Sequence, residues 1–340
     1  MMSNVSFHAK IVLGFLGLLA ISIGTLTWFA TTSYEDHLRR TSLSHLEEIA
    51  DGRLERFRIV TGALEGELRL ARGYRNIQQN LPALIDHADS RGDPRYLQAR
   101  SMLDQQLGAY RQVPGYVDLL LADRQGRIVY VLDVERDGPL LGQELPGAFL
   151  ESSPSAVQVG PAFRDERIED GRFVLLAAGP ATDLAGQWIG TIVFVVDVAT
   201  LLRPVWSAEG LGPTARVVVG HRERDEVFGL GPAGGDELRV QPMKLTDDTA
   251  REMMAEALAG RRGSRASGDV AGAWRPVEGF DLGLLVQQDA SEVFAPAAEL
   301  TRNVALVSAA VLLVAFLGVL ALGREITRPI RRIARPAEGI

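Results

Sequence analysis

The sequence predicts an α+β fold: a long N-terminal helix and two tandem modules of mostly antiparallel strands, flanked by two transmembrane helices. Three observations predict it. Uncharged apolar runs lie near both ends of the 340-residue chain, at 11–30 and 303–323. Between 33 and 72, apolar residues recur at three- and four-residue steps, the period of a helix with one buried face. From residue 116 onward the pattern changes to short apolar runs separated by glycine-containing turns, as strands joined by hairpins require.

About 20 apolar residues at 1.5 Å per residue cross a hydrocarbon core of roughly 30 Å, so each end run is read as a membrane span. The run at 11–30 is longer than the apolar part of a signal peptide and has no good cleavage site after it, which favours an uncleaved anchor. Trp28, Phe29 and Tyr34 fall where an outer aromatic belt is expected. Behind the second run come Arg324, Arg328, Arg331, Arg332 and Arg335. Clusters of this kind stay on the cytoplasmic side, so both chain ends are placed in the cytoplasm and residues 33–302 outside it. The formal net charge of −7 is carried by that outer part, because the first 32 residues hold only Lys10 and the last segment is basic. An acidic exterior argues against nucleic acid as a partner. The absence of cysteine removes disulfides, thiolate metal sites and cysteine nucleophiles.

The 33–72 helix carries Leu43, Leu46, Ala50, Leu54, Phe57, Thr61, Leu64 and Leu68 on one stripe. Such a stripe packs on its own domain or forms the seam of a dimeric stalk, and the sequence supports both. A polar stretch and a helix at 94–112 follow. Strands are expected at 116–123, 127–133, 157–163, 172–180 and 188–197, with turns at Arg124-Gln125-Gly126 and at 183–187. After a short helix at 198–207, a second set is expected at 214–219, 226–230, 273–277 and 282–289. A helix at 247–258 has acidic residues at its start and Gly260 at its end. A final helix, 290–302, runs into the second span without a break signal. The chain thus divides into an N-terminus (1–10), a first span (11–32), a stalk and helical segment (33–112), a membrane-distal module (113–207), a membrane-proximal module (208–302), a second span (303–323) and a basic exit (324–340).

This order of elements resembles the double Cache receptors of bacteria, whose outer modules are PAS-like. The segments that carry the resemblance are YVDLLLADRQGRIVYVLD, RFVLLAAGPATDLAGQWIGTIVFVVDVATLL and WRPVEGFDLGLLVQQDASEVFAP, and it extends over nearly the whole chain. REITRPIRRIAR resembles the opening of a HAMP linker. The resemblance implies a dimeric signal-transduction receptor that senses a small molecule outside the cytoplasm and passes a conformational change through the second span. The output would be of histidine kinase, chemotaxis, cyclase or phosphatase type. Two features depart from the family pattern. The Tyr-x-x-x-x-Arg-x-Trp-Tyr signature of its amino-acid-binding subset is absent, so an amino-acid ligand is not implied. Only seventeen residues follow Gly323, too few for both HAMP helices, so the chain is expected to be the sensory part of a longer protein or a truncated one.

Catalysis has little support. The five histidines show no metal-ligand spacing, and there is no GxSxG, P-loop or GxGxxG after a strand. No cofactor or metal is expected. In PAS-like folds the ligand lies between the sheet and its flanking loops, which here points to 163–172. Arg164 and Arg172 could fork onto the carboxylate of a small organic anion, or pair with the acidic residues around them. Phe163, Tyr116, Tyr130 and Asp197 complete the candidate ligand set. Pro329, which lacks an N–H, marks the expected joint for signal transmission between the second span and the linker. Two alternatives remain: a tethered module that binds another protein, and, with less support, an extracytoplasmic enzyme.

Overall fold

In the computed structural model the described residues are 7–145, 157–164, 168, 172–207, 211–223, 226–233 and 239–333. The chain separates into two compact units, one of residues 1–42 with 291–340 and one of Leu43–Ala290.

The first unit is helical. Helix α1 spans Phe7–Ala71, so only its first part belongs here. A one-turn helix, α7 (Ala290–Val293), is followed by a break at Phe294 and then by α8 (Ala295–Ile333). The expectation of an unbroken run into the second span is therefore corrected: the chain turns once at Phe294, over whose ring the Arg39 guanidinium lies at 5.8 Å. Within α8, the stretch Glu299–Gly318 is long and apolar enough to cross a membrane by length and composition, and none of it is buried. The first apolar run is helical as well, but it does not emerge as a second such stretch among the described residues. Ser22, Thr25, Thr31 and Thr32 donate to carbonyls one turn back, and Thr27 Oγ1 lies 2.9 Å from Ser308 Oγ. Hydroxyls satisfied in this way can sit in an apolar medium at low cost. Pro329 lies inside α8, with helix on both sides of it.

The second unit is built on two antiparallel sheets. The rest of α1 buries Leu46, Ala50, Leu54, Phe57, Thr61, Leu64 and Leu68, so the apolar stripe packs on its own domain. Helix α2 (Arg75–Asp86) occupies the stretch read as polar: Ile77, Leu81 and Leu84, at four- and three-residue steps, hold it to the core despite Pro82. Helix α3 (Pro94–Leu107) starts with proline at its first position, is capped by Asp93, which accepts from Arg95 N at 2.8 Å, and tightens into a 3-10 turn at Gly108–Gln112.

The first sheet contains β1 (Tyr116–Asp123), β2 (Ile128–Val131), β3 (Gln158–Val159), β4 (Phe163–Arg164), β5 (Phe173–Thr182) and β6 (Trp188–Asp197). Its order is β2-β1-β6-β5-β3, with β4 also on β5. The single strand expected at 157–163 is two short ones, separated by Gly160 and Pro161. Both long hairpins close with the same local chemistry. Asp123 Oδ1 accepts from Gln125 N and Arg127 N, Asp183 Oδ1 accepts from Ala185 N and Gln187 N, and Gly126 and Gly186 take positive φ. Asp-x-x-Gly supplies both the acceptor and the left-handed residue that such a turn needs. Alternation places Leu119, Leu121, Leu175, Ala177 and Phe194 against the helices. Leu120, Val131, Val174, Leu176, Val193 and Val195 form a second core on the opposite face, covered by Leu140, Leu145 and Ile168. Leu140 ends a short segment made of α4 (Val134–Asp137) and a 3-10 turn, Gly138–Leu140.

Helix α5 (Val198–Leu202) leads to the second sheet, ordered β10-β11-β12-β7-β8-β9: β7 (Arg216–Glu223), β8 (Glu226–Ala233), β9 (Arg239–Lys244), β10 (Gly263–Ser267), β11 (Val270–Val277) and β12 (Leu282–Asp289). The edge strands β9 and β10 escape sequence recognition because an edge strand is held by its ladder on one side and needs no apolar run. Helix α6 (Asp248–Leu258), capped by Asp247, lies on a sheet face paved with glycine. Gly220 and Gly283 are register partners, and a Cβ on either would meet Met254. Both sheets share one continuous core along α1, which includes Leu119, Phe194, Val219, Leu230 and Leu284.

Candidate functional site

The candidate ligand residues fall into separate groups. Arg172, just before β5, donates from Nη1 to Asp197 Oδ2 at 2.9 Å. Asp197 ends β6, and its other oxygen accepts from Ala199 N at 2.8 Å, capping α5. One carboxylate therefore joins the segment entering β5 to the helix that leaves the sheet. Phe163 and Arg164 are on β4 beside Phe173 and Val174; Phe163 packs against the second core, and Arg164 is exposed. Residues 165–167 and 169–171, with the acidic neighbours weighed as partners of these arginines, lie outside the described residues.

The two tyrosines lie elsewhere. Tyr116 begins β1, packs against Tyr110 and Phe194 at 5.5 and 5.2 Å, and donates its hydroxyl to Glu67. Tyr130 on β2 is fully buried and donates to Asp104 Oδ1 at 2.8 Å, with the Arg100 guanidinium over its ring. Burial raises both phenols, and the neighbouring carboxylate adds to the rise. Asp104 opens onto a groove of about 670 Å³ between α3 and the start of α4, bordered also by Arg91, Arg100, Arg111 and Asp133.

Beside that groove is a small cavity of about 100 Å³, lined by Tyr110, Arg111, Tyr116, Asp118, Asp133 and Arg136. Here β1 is irregular: Tyr116 faces Val196 but Asp118 faces Val195, so Val117 is the extra residue of a bulge. Bulges re-aim side chains near sites. Asp118 is 3% exposed, and its Oδ1 accepts from the backbone N–H groups of Leu119, Leu132 and Asp133 at 2.6, 3.0 and 3.2 Å. Asp137 is fully buried, and its Oδ2 accepts from Arg136 Nε and Nη2, each at 3.3 Å. Arg136 also donates to the Val117 carbonyl. Burial pushes the Asp118 carboxyl up to about 8; its hydrogen bond with Asp137 and the charge there add to the rise, against the opposing amides. This cluster was not singled out from the sequence. Its one signal is an acidic residue at the third position of an otherwise apolar strand, YVDLLLAD.

Neither a family model nor a curated protein matches the chain. Solved structures do. A domain of a sensory box/GGDEF family protein from Vibrio parahaemolyticus is 10% identical, covering 75% of this chain and 99% of that one at a TM-score of 0.47. The ligand-binding domain of chemoreceptor Tlp3 from Campylobacter jejuni, in complex with L-norvaline, is 11% identical over 76% and 94% at 0.48. The extracellular domain of the histidine kinase vpHK1S-Z8 is 10% identical over 77% and 96% at 0.45. The neighbours are sensory or ligand-binding domains of such receptors.

Proposed function

We propose that the chain is a membrane-anchored receptor whose distal module binds a small organic anion outside the cytoplasm. The signal passes through the second sheet and α8 to a cytoplasmic output by way of a HAMP-type linker. The observation that carries this reading is the double use of Asp197. Its carboxylate holds Arg172 with one oxygen and caps α5 with the other. A ligand carboxylate competing for Arg172 would act on the start of the helix that connects the two sheets. Arg172 and Asp197 are therefore the central ligand residues, with Phe163 and Arg164 beside them and Tyr116 and Tyr130 supporting the sheet. Pro329 is kept as the joint of signal transmission.

The reading includes a homodimer and two membrane spans. Ile59, Ala63, Gly66 and Leu70 follow at steps of four, three and four on α1, and Ile59 and Leu70 are 62% and 69% exposed. A second copy laid along this seam would cover them. The test is a thermal-shift screen of the full chain in detergent micelles against small organic anions. Stabilisation by one class, lost in Arg172→Ala, is expected. A broad panel without effect, or a shift that survives Arg172→Ala, counts against the site. In that case a protein partner on the outer face becomes the better reading.

A further inference from the structure

The corner where β1 bulges contains two carboxyl oxygens that the rest of the described structure leaves without a donor. Asp118 Oδ2 and Asp137 Oδ1 are both buried and make no hydrogen bond to any N–H or protein hydroxyl. An ionised carboxylate oxygen sealed from water without a donor is costly, and two side by side are more so. A single proton removes the conflict: carried on one carboxyl, it is donated to the other.

The surroundings decide which carboxyl carries it. Arg136 already supplies Asp137 Oδ2 with two donors at 3.3 Å, whereas no cation donates to Asp118 among the described residues. Among the described residues, the remaining charged or titratable groups at this corner face elsewhere or are already committed. Asp133 Oδ1 accepts from Arg136 N at the start of α4, and its Oδ2 lies 3.7 Å from Arg136 Nη2. Arg111 donates to the Leu132 carbonyl, the Tyr110 hydroxyl meets Tyr74 at 3.3 Å, the Tyr116 hydroxyl meets Glu67, and Glu135 borders the outer groove. The β6 residues opposite, Val195 and Val196, are apolar. Asp118 Oδ1 is filled by three amides, so its proton belongs on Oδ2, aimed at Asp137.

We propose that Asp118 and Asp137 form a proton-operated latch that fastens α4 to the bulged start of β1. With the proton in place, α4 and the turn after it hold Leu140 over the second core of the sheet. Deprotonation breaks the O–H bond at Asp118 Oδ2 and gives the proton to solvent. A buried negative charge then stands on Asp118 beside the Asp137 carboxyl, and the 134–140 segment loosens from the sheet. The latch responds to external pH independently of any ligand at Arg172.

The experiment uses the full chain in micelles. Hydrogen exchange of segment 134–140, corrected for intrinsic rates, is followed from about pH 6 to about pH 9, across the range where a raised carboxyl titrates. Protection is expected to fall roughly tenfold or more, the equivalent of one pKa unit. Asp118→Asn keeps a donor toward Asp137 without a titrating proton, so its protection should stay flat. Infrared difference spectra of the unmutated protein with labelled aspartate test the same idea without a variant. A protonated carboxylic acid band should be present at neutral pH and disappear at the alkaline end. Constant protection in the unmutated chain overturns the latch, as does a band absent at neutral pH. Unchanged pH dependence in Asp118→Asn overturns it too.

Discussion

Asp51→Ala should destabilise the protein more than Arg275→Met, although the two residues form one pair. Arg275, on β11, is 4% exposed and reaches α1 with a fork: Nε to Asp51 Oδ1 at 2.5 Å and Nη2 to Asp51 Oδ2 at 3.0 Å. Nη1 donates to the carbonyls of Gly263 and Trp274 at 3.3 and 3.0 Å, and Glu47 lies 3.7 Å away. The Asp51 side chain, by contrast, is 57% exposed. Removing the carboxylate leaves a buried guanidinium with a weaker partner. Losing one member of a buried pair costs about 3–5 kcal/mol, and Glu47 and the two carbonyls place this case near 3. Removing the guanidinium leaves a carboxylate that water can reach, while methionine keeps the apolar stem packed, so about 1.5 kcal/mol is expected. The double variant should recover part of the Asp51→Ala loss, because no charge is then stranded. Urea denaturation of the full chain in micelles, followed by circular dichroism, measures all three. If Arg275→Met costs as much as Asp51→Ala, or the double variant shows no recovery, the stranded-charge reasoning is refuted.

Glycines on the two helix surfaces should respond with opposite sign. A Cβ at Gly283 would lie 2.9 Å from Ala257 Cβ, which cannot rotate away, so Gly283→Ala should cost about 2 kcal/mol by overpacking α6. At Gly52 nothing lies within 4 Å, and Gly52→Ala should gain about 1 kcal/mol of helix propensity; denaturation midpoints moving the same way in both would refute the packing account. His221 packs edge-on against Phe173 at 5.1 Å, its Nδ1 has no partner among the described residues, and burial lowers its pKa against the pull of Glu223. The unfolded chain binds this proton below about pH 6.5 while the folded one resists it, so the His221 contribution is present above that pH and lost as pH falls. His221→Phe should therefore lose less stability than the unmutated protein between about pH 7 and pH 5. The comparison must be made at each pH, because Asp118 has the opposite slope: its raised pKa gives stability that is lost as pH rises toward about 8. Equal losses in the two proteins would show that His221 does not titrate in this way.

What the sequence determined by itself is what neighbouring residues decide. The Asp-x-x-Gly turns carry their acceptor and their left-handed residue within five positions, and both hairpins close as the spacing predicts. The α1 stripe repeats at helical period, so its buried face is legible, and so is Asp247 as the start of α6. Periodicity states that a face is buried but not by what, which is why the choice between stalk seam and domain core fell to the tertiary structure. The same limit explains α2, where three apolar residues suffice because a sheet and α1 are there to receive them. It explains the edge strands, held by backbone ladders that leave no side-chain record. The ionic groups are the extreme case. Arg275 meets Asp51 across 224 positions, Arg172 meets Asp197 across 25, and Asp118, at the bulged start of a strand, lies beside Asp137 of a short helix. A charge has no periodicity, and its partner is set by where folding brings the backbone. The tertiary structure alone decided which carboxylates face an arginine, which cap a helix, and which two face each other.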